Sequence, residues 1–492
     1  MVLPSEGNEV RWKGLVRSLS TLIVSMKVAN SNLRGASGEK RSTTFKESLM
    51  GNMEDTQMSK IEVSTKQERI AKNARRLSDV SFTALAHHID VNWLREAFRQ
   101  TRKDAAAGID GITSKNYAVN LGENLNDLID RAKSGKYRAP AVKRVHIPKG
   151  KGNETRPLGI PTFEDKVLQR SVKMVIEPVY EQDFLDCSYG FRPGRSQHMA
   201  IDKMWKELMD MRGGWVIDID IRKYFDTIDH SLMREILSKR VCDGVITRLI
   251  AKWLKVGIIE NDKLHYEKEG TPQGGVISPL LSNIYLHEVI DVWFEDVVKP
   301  RLKGKAFMIR FADDIIMGFQ NKEDALKVFE VLPKRLTKYK LTLHPEKTRL
   351  IRFVKPEKES GKPETFDFLG FTHYWGKSRR GNYVIKHKTA RDRLARAIGK
   401  MNIWLKENRH EKVSDQHEGI CRKLRGHYNY YGVTSNYDKL CSYWRTTLFL
   451  WKKWLGRRSS KSYINWGKLN RILERYPLIR PTVKNSVMTA KL

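Results

Sequence analysis

The sequence is poor in cysteine and contains no pair of cysteines separated by two residues. Its four cysteines, Cys187, Cys242, Cys421 and Cys441, lie far apart along the 492 residues. This spacing argues against a disulfide scaffold and against a zinc site built on cysteine thiolates. Such cysteine usage is typical of proteins from reducing compartments, which predicts a cytosolic setting.

Long apolar runs are also missing, since no stretch approaches the ~20 residues that a membrane-spanning helix needs. The basic start at Arg11–Lys13 leads to a short apolar stretch, Leu22–Val24, without a clean small-residue cleavage site. The sequence therefore predicts no membrane span and no secretory signal. An arginine-rich organelle-targeting segment is left open.

Acidic residues are few relative to basic ones, with 57 Asp and Glu against 91 Lys and Arg. The net charge of +34 attracts polyanions, and binding of this kind weakens steeply with salt. A ribosome-associated protein or a binder of anionic membranes would share this property, so charge alone indicates only a polyanionic partner. The 40% hydrophobic content is sufficient for buried cores, and the length is typical of two to four domains.

Composition and periodicity divide the chain into three regions. Residues 1–78 are polar with little periodic pattern, which predicts a flexible or weakly helical extension. Residues 79–375 alternate strand-like and helix-like segments irregularly, which suggests an α/β core with an antiparallel sheet. Residues 376–492 hold 28 Lys and Arg against 7 Asp and Glu and show helical apolar spacing, which predicts a separate basic helical domain.

Two adjacent acids, Asp313 and Asp314, interrupt an apolar run that extends from Phe307 to Phe319. The simplest structure for this segment is a β-hairpin with both acids at its tip. Adjacent like charges repel each other, and a divalent cation beside them would relieve that repulsion. Taken alone, most such pairs are solvated turn residues.

A second acidic element follows an apolar strand that ends at Asp220. Asp218 and Asp220 share one face of this strand because strand side chains alternate. An acid that ends one strand and a pair at a neighbouring hairpin tip can converge on two metal ions ~3.5–4 Å apart. A salt bridge to Arg222 or Lys223 would explain one acid but not the combination.

The segments Asp220–Asp226 and Phe311–Asp314 resemble the first and second catalytic motifs of reverse transcriptases, and in particular of the maturases encoded by group II introns. Phe311 stands where tyrosine is more common in the family, which keeps an aromatic ring and leaves the acids unchanged. Motifs that resemble the family occur in family order from about residue 105 to residue 371. Six such matches in order are hardly chance.

The resemblance implies that Asp220, Asp313 and Asp314 are catalytic and hold two Mg²⁺ ions, for which Mn²⁺ could substitute. It also implies the backbone carbonyl of Ile221 as a metal ligand. Asp314 is the less certain ligand, because adjacent side chains of an extended backbone point in opposite directions. Phe225 matches the ring that blocks a ribose 2′-hydroxyl and so favours deoxynucleotides; without the motif, core packing would explain it.

Four further positions match family residues that bind the incoming deoxynucleotide. Lys149 and Arg156 match the cations that grip its triphosphate, a role that suits the planar fork of arginine. Gln273 lies in Gly270–Leu280, which resembles the loop before a helix that flanks the nascent base pair. Lys347 matches a lysine proposed to protonate the leaving pyrophosphate, although it equally fits an ordinary surface lysine.

Two segments resemble the family's nucleic-acid contacts: the template-contacting segment, and the thumb and maturase domain, or domain X. The matching residues are Arg192, Arg195, Arg425, His427 and Tyr428. Basic helices with interleaved aromatic residues suit structured RNA, because cations bind phosphates and rings stack on unpaired bases. The same rings would also serve simply to pack a helical bundle.

The resemblance implies a right-hand polymerase, with fingers and palm built on an antiparallel sheet, followed by an α-helical thumb/maturase domain. The expected function is an RNA-directed DNA polymerase, a two-metal nucleotidyltransferase, that binds its group II intron RNA to assist splicing and supports intron mobility by target-primed reverse transcription. Expected partners are the intron RNA, target DNA with its primer, and deoxynucleotides, with no membrane partner and an open oligomeric state. The expected location is the bacterial cytoplasm, or an organelle.

Two alternatives remain beside this hypothesis: a domesticated or defence-associated reverse transcriptase of the same lineage, and an RNA-binding splicing factor without polymerase activity. No endonuclease motif follows Tyr476–Pro477, so the sequence predicts no endonuclease domain.

Overall fold

The computed structural model describes residues 60–148, 155–260, 263–265, 270, 274–356, 363–459 and 463–485. Helices and short strands alternate along these residues. The helices are α1 (60–76), α2 (Val91–Gln100), α3 (Ser114–Tyr117), α4 (Leu121–Ser134), α5 (Phe163–Asp183), α6 (Gln197–Asp210), α7 (His230–Ser238), α8 (Gly244–Leu254), α9 (Ser278–Leu286), α10 (Lys322–Lys338), α11 (Arg391–Glu407), α12 (Val413–Tyr431), α13 (Tyr437–Leu455) and α14 (Trp466–Arg475). The strands are β1 (Val142–Pro148), β2 (Thr155–Ile160), β3 (Trp215–Ile219), β4 (Ile258–Glu260), β5 (Lys263–His265), β6 (Ala306–Phe311), β7 (Asp314–Phe319), β8 (Arg349–Arg352), β9 (Phe366–Phe368), β10 (Phe371–Lys377) and β11 (Tyr383–Thr389).

The central sheet has four antiparallel strands in the order β6-β7-β3-β8. Both faces are buried, because apolar side chains alternate between two separate cores. Ile217 and Met317 face a core shared with helices α2, α5 and α9, whereas Val216 and Ile316 face a second core. The predicted hairpin is confirmed: β6 and β7 pair up to Phe311 opposite Asp314.

The remaining strands form two further sheets, one of four strands and one of three. The hairpin of β1 and β2 continues through a parallel pairing of β1 with β4, in the order β2-β1-β4-β5. Strands β9, β10 and β11 form a three-stranded antiparallel sheet. Apolar residues of this sheet and of α6 cover the second face of the central sheet, for example Phe366 and Ile201. The fold is thus a mixed α/β arrangement with small sheets that are mainly antiparallel.

Helices α11–α14 pack around a core of their own, which includes Met401, Leu424 and Trp451. The indole nitrogen of Trp451 donates to Gln416 Oε1 at 2.9 Å, so this buried polar pair is satisfied within the bundle. Within the described residues, no helix combines the length and the apolar character that spanning a bilayer requires.

The helical region begins later than the predicted boundary at residue 376. That position lies inside β10, which pairs with β11 over its whole length, and helices start only at Arg391. His373 and His387 are fully buried between these strands, with their Nδ1 atoms 2.8 Å apart. A domain boundary here would break a paired strand, which is why a change in composition at 376 does not mark a change in structure.

The ordered part of the chain begins earlier than the predicted Asp79. Val63, Ile70 and Ala74 lie on one face of α1 and are buried in the core that contains α5. The guanidinium of Arg240 donates to the carbonyls of Ala74, Leu77 and Val80 and pairs with Asp183 at 2.8 Å. The rest of the predicted extension, residues 1–59, lies outside the described residues.

Replacing Arg240 with methionine should loosen α1, because three carbonyls and Asp183 would lose their donor. The expected cost is about 3 kcal/mol of unfolding free energy, the size found when a buried ion pair loses one partner. Hydrogen exchange of the amides between residues 63 and 76 would measure the effect. Lys239→Met is the matched control: Lys239 forms an exposed ion pair with Glu288 and should matter by less than about 1 kcal/mol. Equal protection in both variants would contradict this account of α1.

Candidate active site

Four carboxylates gather at one end of the central sheet. Asp220 directly follows β3, and Asp313 and Asp314 lie at the turn of the β6–β7 hairpin. Because Ile219 pairs with Ile315, the next residue, Asp220, comes opposite Asp314. Strand alternation places Asp218 on the same face as Asp314. The predicted catalytic acids are therefore brought together, with Asp218 as a fourth member.

The electrostatics of this cluster oppose full ionisation. Burial, together with the charges of Asp313, Asp218 and Asp220, raises the pKa of Asp314 to about 6, against a smaller opposite effect of Arg393. The side chain of Asp314 opens into a cavity of about 370 Å³, which Asp218 also lines. A carboxylate with a raised pKa among other acids indicates negative charge that lacks a sufficient counter-ion.

Lys347 and Arg349 supply part of the missing positive charge. Lys347 Nζ lies 3.4 Å from Asp220 Oδ2, and Arg349 Nη2 lies 3.3 Å from Asp218 Oδ2. The backbone carbonyl of Asp220 accepts a 2.8 Å hydrogen bond from His344 N, which fixes the loop that carries Lys347. The structure thus joins one predicted nucleotide-binding lysine to a predicted catalytic acid. The alternative salt bridge of Asp220 to Arg222 or Lys223 does not form.

Carboxylate and carbonyl oxygens are the donors that Mg²⁺ and Mn²⁺ prefer, so the chemistry of Asp220, Asp313 and the Ile221 carbonyl fits such ions. The repulsion that raises the pKa of Asp314 also fits a cation in the cluster. Among the described residues, however, no three His, Cys, Asp or Glu side chains are grouped closely enough to form a metal site as they stand.

The predicted nucleotide-binding residues converge from two other elements. The guanidinium carbon of Arg156, on β2, lies 5.9 Å from the ring centre of Phe225, which belongs to the single helical turn Tyr224–Asp226. Phe225 is half-buried, so part of its ring remains accessible. Lys149 and Gln273 lie outside the described residues.

Gly270 and Gly274, which lie on either side of Gln273 in the sequence, themselves approach these elements closely. Gly270 has a φ of 91°, and a Cβ atom there would lie 2.9 Å from backbone atoms of Phe225 and Asp226. Gly274 has a φ of 117°, and a Cβ atom there would lie 2.4 Å from the carbonyl oxygen of Gly159. Only glycine allows both the conformation and the close approach, which explains how Gly270 can lie against the Phe225 turn and Gly274 against β2.

Beneath the hairpin lies a buried polar network that the sequence analysis missed. Arg310 is fully buried on β6 and forms a two-pronged ion pair with Asp291, at 2.6 and 2.7 Å. Burial alone would lower the pKa of Arg310, but the charge and hydrogen bonding of Asp291, with smaller effects of Cys187 and Tyr224, together outweigh it and the pKa is raised. Ser188 Oγ and Asn283 Oδ1 accept further bonds from Arg310, at 2.7 and 2.8 Å.

This network reaches the turn that carries the acids. Arg310 Nη1 donates to the carbonyl of Ala312 at 3.2 Å, and Ala312 adopts a left-handed φ of 58°. Asn283 Nδ2 donates to the carbonyl of Gly190, whose Cα lies so close to the turn that a Cβ atom would be 2.3 Å from Ala312 N. The sequence did contain a signal for this network: Arg310 is a single arginine inside an otherwise apolar strand. A buried guanidinium requires a buried partner for its charge.

Three of the five predicted nucleic-acid contacts are buried and make contacts within the fold. Arg192 is buried: its guanidinium pairs with Glu181 at 3.0 Å and donates to the carbonyls of Leu185 and Ser188. His427 is buried against Tyr443 with ring centres 4.1 Å apart, and burial lowers its pKa to about 4. Tyr428 is 2% exposed.

The other two predicted contacts are accessible. Arg425 is exposed on α12. Arg195 is partly exposed, pairs with Asp186 at 2.6 Å and lies 5.4 Å from the ring centre of Tyr189. Neighbouring Phe191 is 57% exposed with a φ of 58°, so it is the ring of this segment that solvent reaches.

Residues 147–373 match the family model described as "Reverse transcriptase (RNA-dependent DNA polymerase)". This range includes the central sheet, its acids, and the Arg156–Phe225 contact. Residues 147–373 are a reverse transcriptase domain.

Relatives of this domain include proteins encoded by introns. Protein YkfC of Escherichia coli is 42% identical over 221 residues, 44% of this chain and 56% of YkfC. The group II intron-encoded protein LtrA of Lactococcus lactis is 38% identical over 225 residues, 45% of this chain and 37% of LtrA. The putative COX1/OXI3 intron 1 protein of Saccharomyces cerevisiae is 26% identical over 439 residues, 74% of this chain and 52% of that protein. The matches thus span about half, or less, of these relatives.

Replacing Arg310 with methionine should destabilise the reverse transcriptase domain, because the charge of Asp291 would stay buried without its partner. The expected loss is about 3–5 kcal/mol of unfolding free energy, measured by urea denaturation. The double variant R310M/D291L should recover most of that loss, since it removes both charges. Lys305→Met, which breaks the exposed pair with Asp210 beside the same strand, is the control and should cost less than about 1 kcal/mol. Similar costs for R310M and K305M would show that the buried pair does not support the hairpin.

Proposed function

We propose that this chain is an RNA-directed DNA polymerase that also binds a folded group II intron RNA to assist its splicing. The observation that carries the proposal is the convergence of Asp220, Asp313 and Asp314 at one end of the central sheet, within a reverse transcriptase domain that also contains the Arg156–Phe225 contact. Acids that can hold metal ions, together with a cation that can bind a triphosphate, are parts that nucleotidyl transfer needs.

In this proposal, Asp220, Asp313 and the carbonyl of Ile221 hold two Mg²⁺ ions, with Asp314 beside them. When bound, the ions lower the pKa of the primer 3′-hydroxyl and neutralise charge on the triphosphate and the leaving pyrophosphate. The repulsion within the cluster supports this assignment, because ions would relieve it.

Arg156 and Lys347 supply the positive charge of the nucleotide site. Arg156 binds the triphosphate through its planar fork, which matches phosphate oxygens in pairs. Lys347, already 3.4 Å from Asp220, donates a proton to the departing pyrophosphate. Lys149 and Gln273 complete the nucleotide site in this proposal.

Phe225 selects the sugar. Its ring occupies the space of a ribose 2′-hydroxyl, and Gly270 lies close to the backbone of the turn that carries this ring. A rigid ring excludes an added hydroxyl better than a mobile side chain does.

The architecture is proposed to be that of a right-hand polymerase. The β1–β2 hairpin and its neighbouring helices serve as fingers, the central sheet as palm, and α11–α14 as thumb and maturase domain. The surplus of basic residues after residue 376, 28 against 7 acidic ones, supports binding of structured RNA there.

The relatives encoded by introns support an intron RNA as the partner, and the proposal extends to intron mobility by target-primed synthesis on DNA. Of the nucleic-acid contacts predicted from sequence, Arg195 and Arg425 remain part of this proposal.

Primer extension on an RNA template with deoxynucleotides and Mg²⁺ tests the polymerase. Asp313→Ala should lower extension at least ~10²-fold, the scale on which catalytic electrostatic contacts act. Glu123→Gln, which removes an exposed acid on α4, is the control and should extend like the wild type. Mg²⁺ should also raise the melting temperature of the wild type more than that of D313A, because the ions bind only the folded cluster.

If folded wild-type protein extends no primer with any divalent metal, the polymerase proposal fails. An RNA-binding splicing factor without polymerase activity would then be the better hypothesis. Equal extension by D313A and the wild type would refute the assignment of the acids.

Replacing Phe225 with alanine should relax sugar selection. The ratio of kcat/KM for deoxynucleotides to that for ribonucleotides should fall about 10- to 100-fold, the range in which a pocket discriminates by filling space. Phe225→Tyr keeps the ring and should retain the selectivity. An unchanged ratio in the alanine variant would mean that Phe225 is simply a packing residue.

A further inference from the structure

Two aromatic rings lie exposed side by side on the C-terminal helical bundle. Phe449 on α13 is 60% exposed and Trp466 on α14 is 45% exposed. Their ring centres are 5.0 Å apart at an interplanar angle of 89°, an edge-to-face pair. Lys452 Nζ lies 5.1 Å from the ring centre of Trp466.

Packing of the bundle does not require this pair. The core between the helices is already filled by other large side chains, among them Trp451, Leu455 and Leu469. Phe449 and Trp466 belong neither to that core nor to the partly buried residues packed against it. Adjacent exposed rings of this size are uncommon on a soluble surface without a binding role.

The surroundings of the two rings are strongly basic. Arg445, Phe449, Lys452 and Lys453 follow the spacing i, i+4, i+7, i+8, which places them on one face of α13. Helices α13 and α14 together carry seven Lys and Arg against two Asp and Glu. The basic residues are Lys439, Arg445, Lys452, Lys453, Lys468, Arg471 and Arg475, and the acidic ones are Asp438 and Glu474.

We propose that Arg445, Phe449, Lys452, Lys453 and Trp466, here called the aromatic–cationic face, bind unpaired nucleotides of RNA. Bases stack on Phe449 and Trp466, while the cations bind the flanking phosphates. The inference rests on the proposed RNA-binding function and adds the class of RNA element that is bound.

Unpaired nucleotides fit this face better than a duplex does. Bases inside an A-form helix are already stacked on each other, so exposed rings gain nothing from them, whereas the bases of loops and bulges are free to stack on protein rings. A duplex would engage the cations alone. An edge-to-face pair also presents two differently oriented surfaces, which suits splayed bases rather than a regular stack.

Fluorescence anisotropy with the full chain tests the inference. The probes are a labelled single-stranded RNA of about 16 nucleotides and a duplex RNA of the same sequence. The variant F449A/W466A should bind the single strand about 10- to 100-fold more weakly and the duplex within about twofold of the wild type. Ile403→Ala, which removes another exposed apolar side chain from the same bundle, is the matched control and should bind both RNAs normally.

Two further variants separate stacking from charge and from loss of structure. F449Y/W466F keeps both rings and should retain single-strand affinity. K452Q/K453Q should reduce the slope of log affinity against log salt by about 1–2, whereas F449A/W466A should leave that slope unchanged, because rings release no counterions.

Single-strand affinity that is unchanged in F449A/W466A would overturn the inference, as would equal losses on single strand and duplex. In either case, binding of RNA by the wild type would leave the proposed function standing. A wild type that binds neither RNA would refute the RNA-binding function itself.

Discussion

A guanidinium and a carboxylate meet at 2.6 Å beneath the central sheet, where neither Arg310 nor Asp291 has any exposed side chain. Removing two charges from water costs free energy. This cost is offset here because Arg310 and Asp291 share two hydrogen bonds and the other donors of Arg310 also have acceptors. Ser188, Asn283 and the carbonyl of Ala312 accept the remaining donors of Arg310. The turn that carries Asp313 and Asp314 is therefore tied to strand β6, to α9 and to the segment before α6. The position of the acids follows from this buried pair rather than from the turn itself.

The acidic cluster at the end of the central sheet contrasts with the positive charge of the chain as a whole. The chain as a whole carries a net charge of +34, yet burial and the nearby charges of Asp313, Asp218 and Asp220 together raise the pKa of Asp314 to about 6. Lys347 and Arg349 form ion pairs with two members of this cluster, Asp220 and Asp218. A basic surface attracts nucleic acid, whereas an acidic cluster binds cations, and the two properties are compatible because each is local.

Elements with a strong local pattern were predictable, and those that depend on distant contacts were not. The β6–β7 hairpin followed from two apolar runs around a pair of acids. The sequence could not show that Arg240, just after α7, bonds to carbonyls at the end of α1 and beyond it, or that residue 376 lies within a strand, β10, that pairs with β11. Arg192, His427 and Tyr428 have side chains suited to RNA, but all three are buried, and burial is a property of packing rather than of residue type.

The sequence by itself determined which residues are candidates for the chemistry: the acids after β3 and at the hairpin turn, the cation on β2, the ring of Phe225 and the glycines beside it. Side-chain type and spacing along one strand or turn are local quantities, so they can be interpreted without a fold. Only the tertiary structure decided which of these residues meet, which polar groups support them from below, and which rings remain exposed. Lys347 reaches Asp220 across 127 residues of chain, and Asp291 reaches Arg310 across 19. Contacts of this kind form because burial and hydrogen bonding select one packing, and no local pattern encodes them.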